Sequence, residues 1–311
     1  MSDLHEPSGS PHDNAQDGPP ACVMSFNAAD PTGASGSAGD VTTIAAMGAH
    51  PLPVITSLWI RDTAEIFDQH ALDPDAVAEQ ARPVLEDGAV HAFKVGFLGT
   101  AENVSAVAEI VADYPDVPVV AYMPNVGWMD DDDEGSYCDA FRELILPAAT
   151  VLVGNHKTLS DLLLPEWDSE RPPSARELAV AAAEFGARHV LVTGVVLGSR
   201  GQEHHIDNVL ASPEGAISGE KFERFEVTFL GAGDTLSASV ASMLANGMEL
   251  PDAVSEALSF LDQSLEAGFR TGMGHVVPDR LFWAGPAPDG EEADGAEVDP
   301  ELGHAGSRRI H

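Results

Sequence analysis

The 311-residue sequence predicts a three-layer α/β/α fold on a doubly wound, mostly parallel sheet. Three observations carry the architecture. Short apolar runs recur along the chain, and several are apolar on both alternating faces, as parallel strands covered by helices on each side require. Segments with a helical apolar period separate these runs. Repeated strand–helix alternation then feeds successive crossovers onto one sheet in one domain.

The elements follow in order. A first strand is expected over 22–28, then a helix with Val41, Ile44, Ala45 and Gly48 on one stripe. A strand over 53–59 precedes a helix whose stripe is Val77, Ala81, Val84 and Leu85. A strand over 90–97 precedes a third helix with Val104, Val107, Ala108 and Val111 in line. Strands over 117–123, 150–154 and 189–196 complete the parallel set. Two adjacent strand-like runs near 204–211 and 222–229 come next. Helices over 234–246 and 251–267 close the body, the second with Pro251 in its first turn, where a missing N–H costs nothing. Residues 1–20 and 286–311 are polar and acidic without apolar period, and read as disordered tails around a folded body at 21–285.

Composition excludes several partners. Fifteen Lys and Arg face 51 Asp and Glu, for a net charge of −36. Nucleic-acid affinity comes largely from cations displacing counterions at phosphates, so neither nucleic acid nor an anionic membrane surface is expected. No apolar run reaches the roughly 18 residues of a membrane helix. The first 20 residues lack the basic and apolar stretches of a signal peptide. Two cysteines, Cys22 and Cys138, suit a reducing compartment. A cytoplasmic protein is the expectation.

Ligands of such sheets bind beyond the carboxyl ends of strands, which directs attention to the glycine-rich loops. One spans 30–40, DPTGASGSAGD, and is bracketed by Asp30 and Asp40 with Gly33 inside. It matches neither the G-x-x-x-x-G-K-[ST] nor the G-x-G-x-x-G pattern. Either aspartate can accept a hydrogen bond from a small substrate, and Asp40 reads equally well as a first-turn helix acid. The other loop reads Gly231, Ala232, Gly233, Asp234 and opens a helix. Glycine backbone and unpaired helix N–H groups together make an anion site. A carboxylate beside an anion makes sense if it takes a proton from an attacking hydroxyl while the amides hold the developing charge. An ordinary N-cap accounts for Asp234 equally well.

Other signals read as structural. The acidic run at 130–134 is expected to be a solvated loop, His204 and His205 to be surface residues, and Cys138 an unactivated helix residue. The dispersed Trp59, Trp128, Trp167 and Trp283 read as core or edge packing.

The 26–63 stretch, FNAADPTGASGSAGDVTTIAAMGAHPLPVITSLWIRDT, resembles the opening of hydroxymethylpyrimidine/phosphomethylpyrimidine kinases, members of the ribokinase-like superfamily. The resemblance continues through Lys94 to Leu98, Asn155, 186–194, 231–236 and the closing Thr271-Gly272-Met273-Gly274-His275. It covers 22–283 and implies transfer of the ATP γ-phosphate, with Mg²⁺, to hydroxymethylpyrimidine and then to its monophosphate in thiamine biosynthesis. It further implies a homodimer. Carried over by position, Asp234 matches the superfamily base, and Gly231, Ala232 and Gly233 match its anion hole. Asp30, Gly33, Asp40, Arg61, Lys94 and Phe97 fall on the substrate side. Asn155, Thr193, Gly194, Gly272 and Gly274 fall on the nucleotide side, and metal ligands stay unassigned.

Several positions depart from the family pattern. Asp234 stands where these pyrimidine kinases usually carry Cys, Arg61 where they carry Gln, and Phe97 where they carry Met. The N-x-x-E motif appears as Asn155-His156-Lys157-Thr158, without its carboxylate. Thr193 stands in place of a lysine, and the D-P of the 120–125 strand end is absent. Lys157 is a candidate to replace the missing cation. These departures leave a pyridoxal-type kinase and a catalytically weakened pyrimidine sensor as alternatives. The acidic body repels nucleotide, so attraction falls to loop amides, Mg²⁺ and cations such as Lys94 and Arg61.

Overall fold

A computed structural model describes residues 18–196 and 205–284. The predicted tails therefore lie outside the described residues, apart from 18–20, and so does His204.

The described residues build one nine-stranded sheet. Strand β1 (Cys22–Ala29) leads through α1 (Gly36–Ala46) to β2 (His50–Arg61), which turns back as β3 (Ile66–Ala71). Helix α2 (Pro74–Asp87) precedes β4 (Ala92–Val95), and α3 (Ala101–Ala112) precedes β5 (Val119–Tyr122). Helix α4 (Asp131–Ala140) continues through a π-helical turn at Phe141–Ile145 toward β6 (Val151–Asn155). Helices α5 (His156–Leu163) and α6 (Ala175–Glu184) follow, then β7 (Val190–Val196), β8 (His205–Ser212) and β9 (Gly215–Glu223). Helices α7 (Ala232–Ala245) and α8 (Leu250–Glu266) end the fold.

Strand order is β3-β2-β1-β4-β5-β6-β7-β8-β9. The six strands from β2 to β7 run parallel, and β3, β8 and β9 add antiparallel edges. Alternate residues of each central strand feed opposite layers. Val23, Ala92 and Leu191 pack under α1, α7 and α8 with Ile44, Leu236 and Leu258. Met24, Phe93 and Val192 pack on the other face with Val77, Val107, Tyr137 and Leu178. That two-sided burial is why these strands read as continuous apolar runs.

Three expectations need correction. The edge strand β3 was not anticipated, because IFDQHA is polar and mostly exposed on a sheet margin. The second strand-like run was expected at 222–229, but β9 lies at Gly215–Glu223 and pairs in register with β8. Phe229 instead makes an isolated parallel bridge to Val276, outside the sheet. The acidic run is not a loop: Asp131 to Glu134 form the first turn of α4, where the helix dipole favours negative charge.

Candidate active site

The sheet reverses its winding between β1 and β4, and the carboxyl ends of both strands meet the two glycine loops there. Lys94 on β4 has no exposed side-chain surface. Its Nζ lies 2.8 Å from Asp40 Oδ1 and donates to Asp234 Oδ1 at 2.8 Å. Asn27, at the end of β1, closes the set: its Nδ2 donates to Asp40 Oδ2 at 3.0 Å and to Asp234 Oδ1 at 2.7 Å. Its Oδ1 accepts from the Phe97 and Ala28 amides at 3.1 and 3.0 Å. Asn27 comes so close to the β4 exit that a Cβ at position 96 would sit 2.7 Å from it, so Gly96 has to be glycine.

Burial decides the charge states. For Asp40, loss of hydration is the largest influence, reinforced by the Asp234 charge, and the carboxyl is pushed up to about 6. Burial acts on Asp234 in the same direction, but the Lys94 ammonium and the Asn27 and Gly36 donors outweigh it. Its carboxyl is held below the usual carboxylate range. Burial also opposes the charge on Lys94, yet two carboxylates hold that ammonium above its ordinary value. The cluster thus holds, in Asp234, a carboxylate that stays ionised at neutral pH.

Asp234 is not an N-cap. Gly231 caps α7 at φ 86° without a side-chain bond, and Asp234 is the third helical residue, turned toward Lys94 rather than toward its own helix. A Cβ on Gly231 would lie 1.8 Å from the Ala34 carbonyl, and one on Gly233 would lie 2.2 Å from the Tyr122 hydroxyl. Both glycines are therefore demanded by close approach. The first-turn amides of such a helix lack intrahelical acceptors and point outward.

A cleft of about 610 Å³ opens over this helix end. Asp234, Gly231, Ala232, Gly233, Arg61, Asn155 and Thr193 line it. Trp59, Trp128, Tyr122 and His275 line it too. The two tryptophans were expected only to pack, and here they form a wall. Phe97, expected to line a ring pocket, is buried behind them, 5.5 Å from Trp59 and 5.6 Å from Trp128 between ring centroids.

Other sequence-derived candidates fall outside the cleft wall. Asp40 is fully buried under it and contacts Lys94. Asp30 folds back on its own loop, accepting from the Thr32 and Ser35 amides at 2.8 and 2.9 Å. Gly33 supplies a turn at φ 72°. Gly272 and Gly274 line a neighbouring cavity of about 570 Å³ with Thr32 and Thr63. The Gly274 amide donates to Thr63 Oγ1 at 3.0 Å. Gly194, at φ 70°, donates its amide to Asn208.

The nucleotide-side candidates offer few charges. Asn155 caps α5 by accepting from the Thr158 amide at 2.9 Å. Lys157 is exposed and pairs with Asp161 at 2.5 Å on its own helix. Among the described residues, no group of three His, Cys, Asp or Glu side chains is disposed to hold a metal. With Thr158 where the family carries a carboxylate, these residues do not fit a protein-held Mg²⁺. Such an ion would arrive with phosphate and water as its ligands.

Arg280 has no sequence signal and is 4% exposed. It donates to Thr235 Oγ1 and to the carbonyls of Ala34 and Gly231, clamping both glycine loops. Among the described residues no helix is long and apolar enough to cross a membrane.

Comparison with known proteins gives the family and the fold. The sequence model of phosphomethylpyrimidine kinase matches residues 30–279. A hydroxymethylpyrimidine/phosphomethylpyrimidine kinase of Streptomyces coelicolor is 30% identical over 268 residues, covering 85% of this chain and 96% of that protein. One from Mycobacterium leprae is 28% identical over 271 residues, covering 85% and 95%. Among solved structures, an ADP complex of Bacillus subtilis pyridoxal kinase superposes with a TM-score of 0.76 at 21% identity, covering 85% of this chain and 99% of that one. The fold is thus shared with ribokinase-like vitamin kinases. With a family match that spans most of its length and relatives covered almost end to end, this chain belongs to the phosphomethylpyrimidine kinase family.

Proposed function

We propose that this protein transfers the γ-phosphoryl group of ATP to the hydroxyl of hydroxymethylpyrimidine, and then a second one to the resulting monophosphate, in thiamine biosynthesis. The observation that supports this best is the placement of Asp234, third residue of α7, with its carboxylate at the cleft beside the Gly231, Ala232 and Gly233 amides. In the first transfer the acceptor oxygen forms a bond to the γ-phosphorus as the bond to the β,γ-bridging oxygen breaks. The hydroxyl proton passes to Asp234, ADP leaves, and the loop amides hold the charge spread over the transferring group. Trp59 and Trp128 flank the ring, and Asn155, Thr193 and Gly194 lie along the nucleotide path, with the Gly272 and Gly274 segment beside it. The reading extends to a 21–285 kinase domain working as a cytoplasmic homodimer.

The two transfers differ in their need for a base. An alcohol must lose a proton, whereas a phosphate monoester has a second pKa near 6 and is largely deprotonated at neutral pH. Asp234→Asn should therefore slow the first transfer by roughly 10²–10⁴-fold and the second far less. Radiolabelled ATP offered with each acceptor separately reads both rates. Equal losses on both acceptors count against Asp234 as base, and no transfer to any alcohol rejects the kinase reading.

One observation favours a second reading, a pyridoxal-type acceptor. The Arg61 side chain is 5% exposed, and its Nη1 is spent on Ser35 and Asp30 at 3.4 and 3.9 Å. A guanidinium is donor-only and so favours an acceptor-only ring edge, whereas an aminopyrimidine edge presents donor and acceptor together.

A further inference from the structure

Asp40 is fully buried and does not line the cleft. It is nonetheless one of two carboxylates that share the Lys94 ammonium, so the buried set carries two negative charges against one positive. Had Asp234 paired with Lys94 alone, the pair would be neutral, and a proton accepted by Asp234 would leave an unbalanced buried cation. With Asp40 present, the same proton leaves a neutral set. Asp234 Oδ1 accepts from both Lys94 and Asn27, while among the described residues Oδ2 accepts only from the Gly36 amide at 3.2 Å. One oxygen is thus anchored and the other retains capacity for a hydroxyl.

We propose that Asp40 and Asn27 are positioning residues for the base: Asp40 draws on Lys94 so that Asp234 stays basic, and Asn27 anchors Asp234 Oδ1 so that Oδ2 faces the acceptor. This rests on Asp234 being the base of the proposed transfer. The other groups facing Asp234 are Arg61 from β2, Arg280 from the segment after α8 and the Tyr122 hydroxyl from β5. None of these bonds to its carboxylate, whose hydrogen-bond donors are Lys94, Asn27 and the Gly36 amide.

The two residues act with opposite sign. Asp40→Asn removes the competing carboxylate, gives Lys94 wholly to Asp234 and lowers the base pKa. Asn27→Ala removes a donor that favours the ionised form and raises it. The experiment is a carboxyl-carbon NMR titration of the full chain labelled at aspartate, paired with kcat and KM across pH for each acceptor. Expected are a downward move of the Asp234 titration and of the acidic limb of kcat in Asp40→Asn, and an upward move of both in Asn27→Ala. Alcohol kcat should fall about tenfold or more in each variant while both KM values stay within about twofold. An acceptor KM raised tenfold at unchanged kcat makes Asp40 a substrate ligand and overturns the proposal, as does a titration that moves the same way in both variants. The NMR titration needs no turnover. Opposed shifts without phosphoryl transfer in any form of the protein reject the kinase reading and leave the electrostatic arrangement standing. If Asp40→Asn fails to fold, Asn27→Ala and Asn27→Ser carry the test, with Ser expected to restore part of the shift and an unmoved limb in both overturning it.

Discussion

Arg280 Nε donates to the Thr235 hydroxyl at 2.9 Å, joining the segment after α8 to the first turn of α7, the helix that carries Asp234. The same guanidinium reaches the Ala34 and Gly231 carbonyls, so a single buried side chain spans both glycine loops.

Arg280→Ala is expected to destabilise the protein by about 2–4 kcal/mol, since buried carbonyls lose a charged donor and a well-packed stem is deleted. Urea unfolding measures it. Because both loops loosen together, nucleotide KM should rise as well. A change under 0.5 kcal/mol, by the rule for ordinary surface positions, would show the clamp to be incidental.

Gly231→Ala places a Cβ 1.8 Å from the Ala34 carbonyl at a φ of 86°. The left-handed backbone alone costs about 1–2 kcal/mol for a residue with a side chain, and the clash moves the amides that face the cleft. Steady-state kinetics should show kcat reduced about 10²-fold or more, with far-ultraviolet circular dichroism unchanged. Retained kcat would mean that these amides do not meet the transferring group.

Arg61→Gln restores an amide that can both donate and accept. The ratio of kcat/KM for hydroxymethylpyrimidine over pyridoxal should rise about tenfold, the effect of one well-made hydrogen bond to a charged group gained or lost. A competition assay with both alcohols gives the ratio directly, and a fall in it would place Arg61 away from the ring edge.

Glu177 closes the capping box of α6 and pairs with Arg171 at 2.6 Å. The Arg171 bond, then the Ser174 amide and hydroxyl, hold its carboxyl down at about 2, from 4.5. A carboxylate depressed in the folded state contributes stability above its unfolded pKa and loses it as pH falls through the folded one. Glu177→Gln should therefore lower Tm at pH 7, with the difference closing between pH 4.5 and 2. Thermal melts across that range test it, and a difference that persists at pH 2 would assign the effect to packing.

Much of the architecture was legible because burial on two faces leaves a local trace. The runs at 22–28, 117–123 and 150–154 are apolar at nearly every position, and each is a central strand of the sheet. Edges leave no such trace. β3 reads IFDQHA and β9 reads GAISGEKFE, both half-polar, so one was missed and the other displaced toward the more apolar 225–229 stretch. Phe229 in that stretch packs against Gly268 and Val276 instead of joining a ladder.

The glycines of 231–233 and Asp234 were legible as a loop that can meet an anion, because spacing and residue type are local properties. Their partners were not. Asn27 sits in an apolar strand and offers no motif, and Arg280 lies in an unremarkable closing segment. Trp59 and Trp128 looked scattered until the ends of β2 and β5 brought them to one wall.

The sequence by itself determined the fold class, the glycine loops at the strand ends and the family, all of which depend on neighbours along the chain. Tertiary structure alone decided that Lys94 would serve two acids, one 54 and the other 140 positions away, and that Asn27 would reach Asp234 across 207. Ionisation inside a protein depends on which charges lie within a few ångströms after burial has removed water, and that distance is set by the packing of β1, β4, α1 and α7.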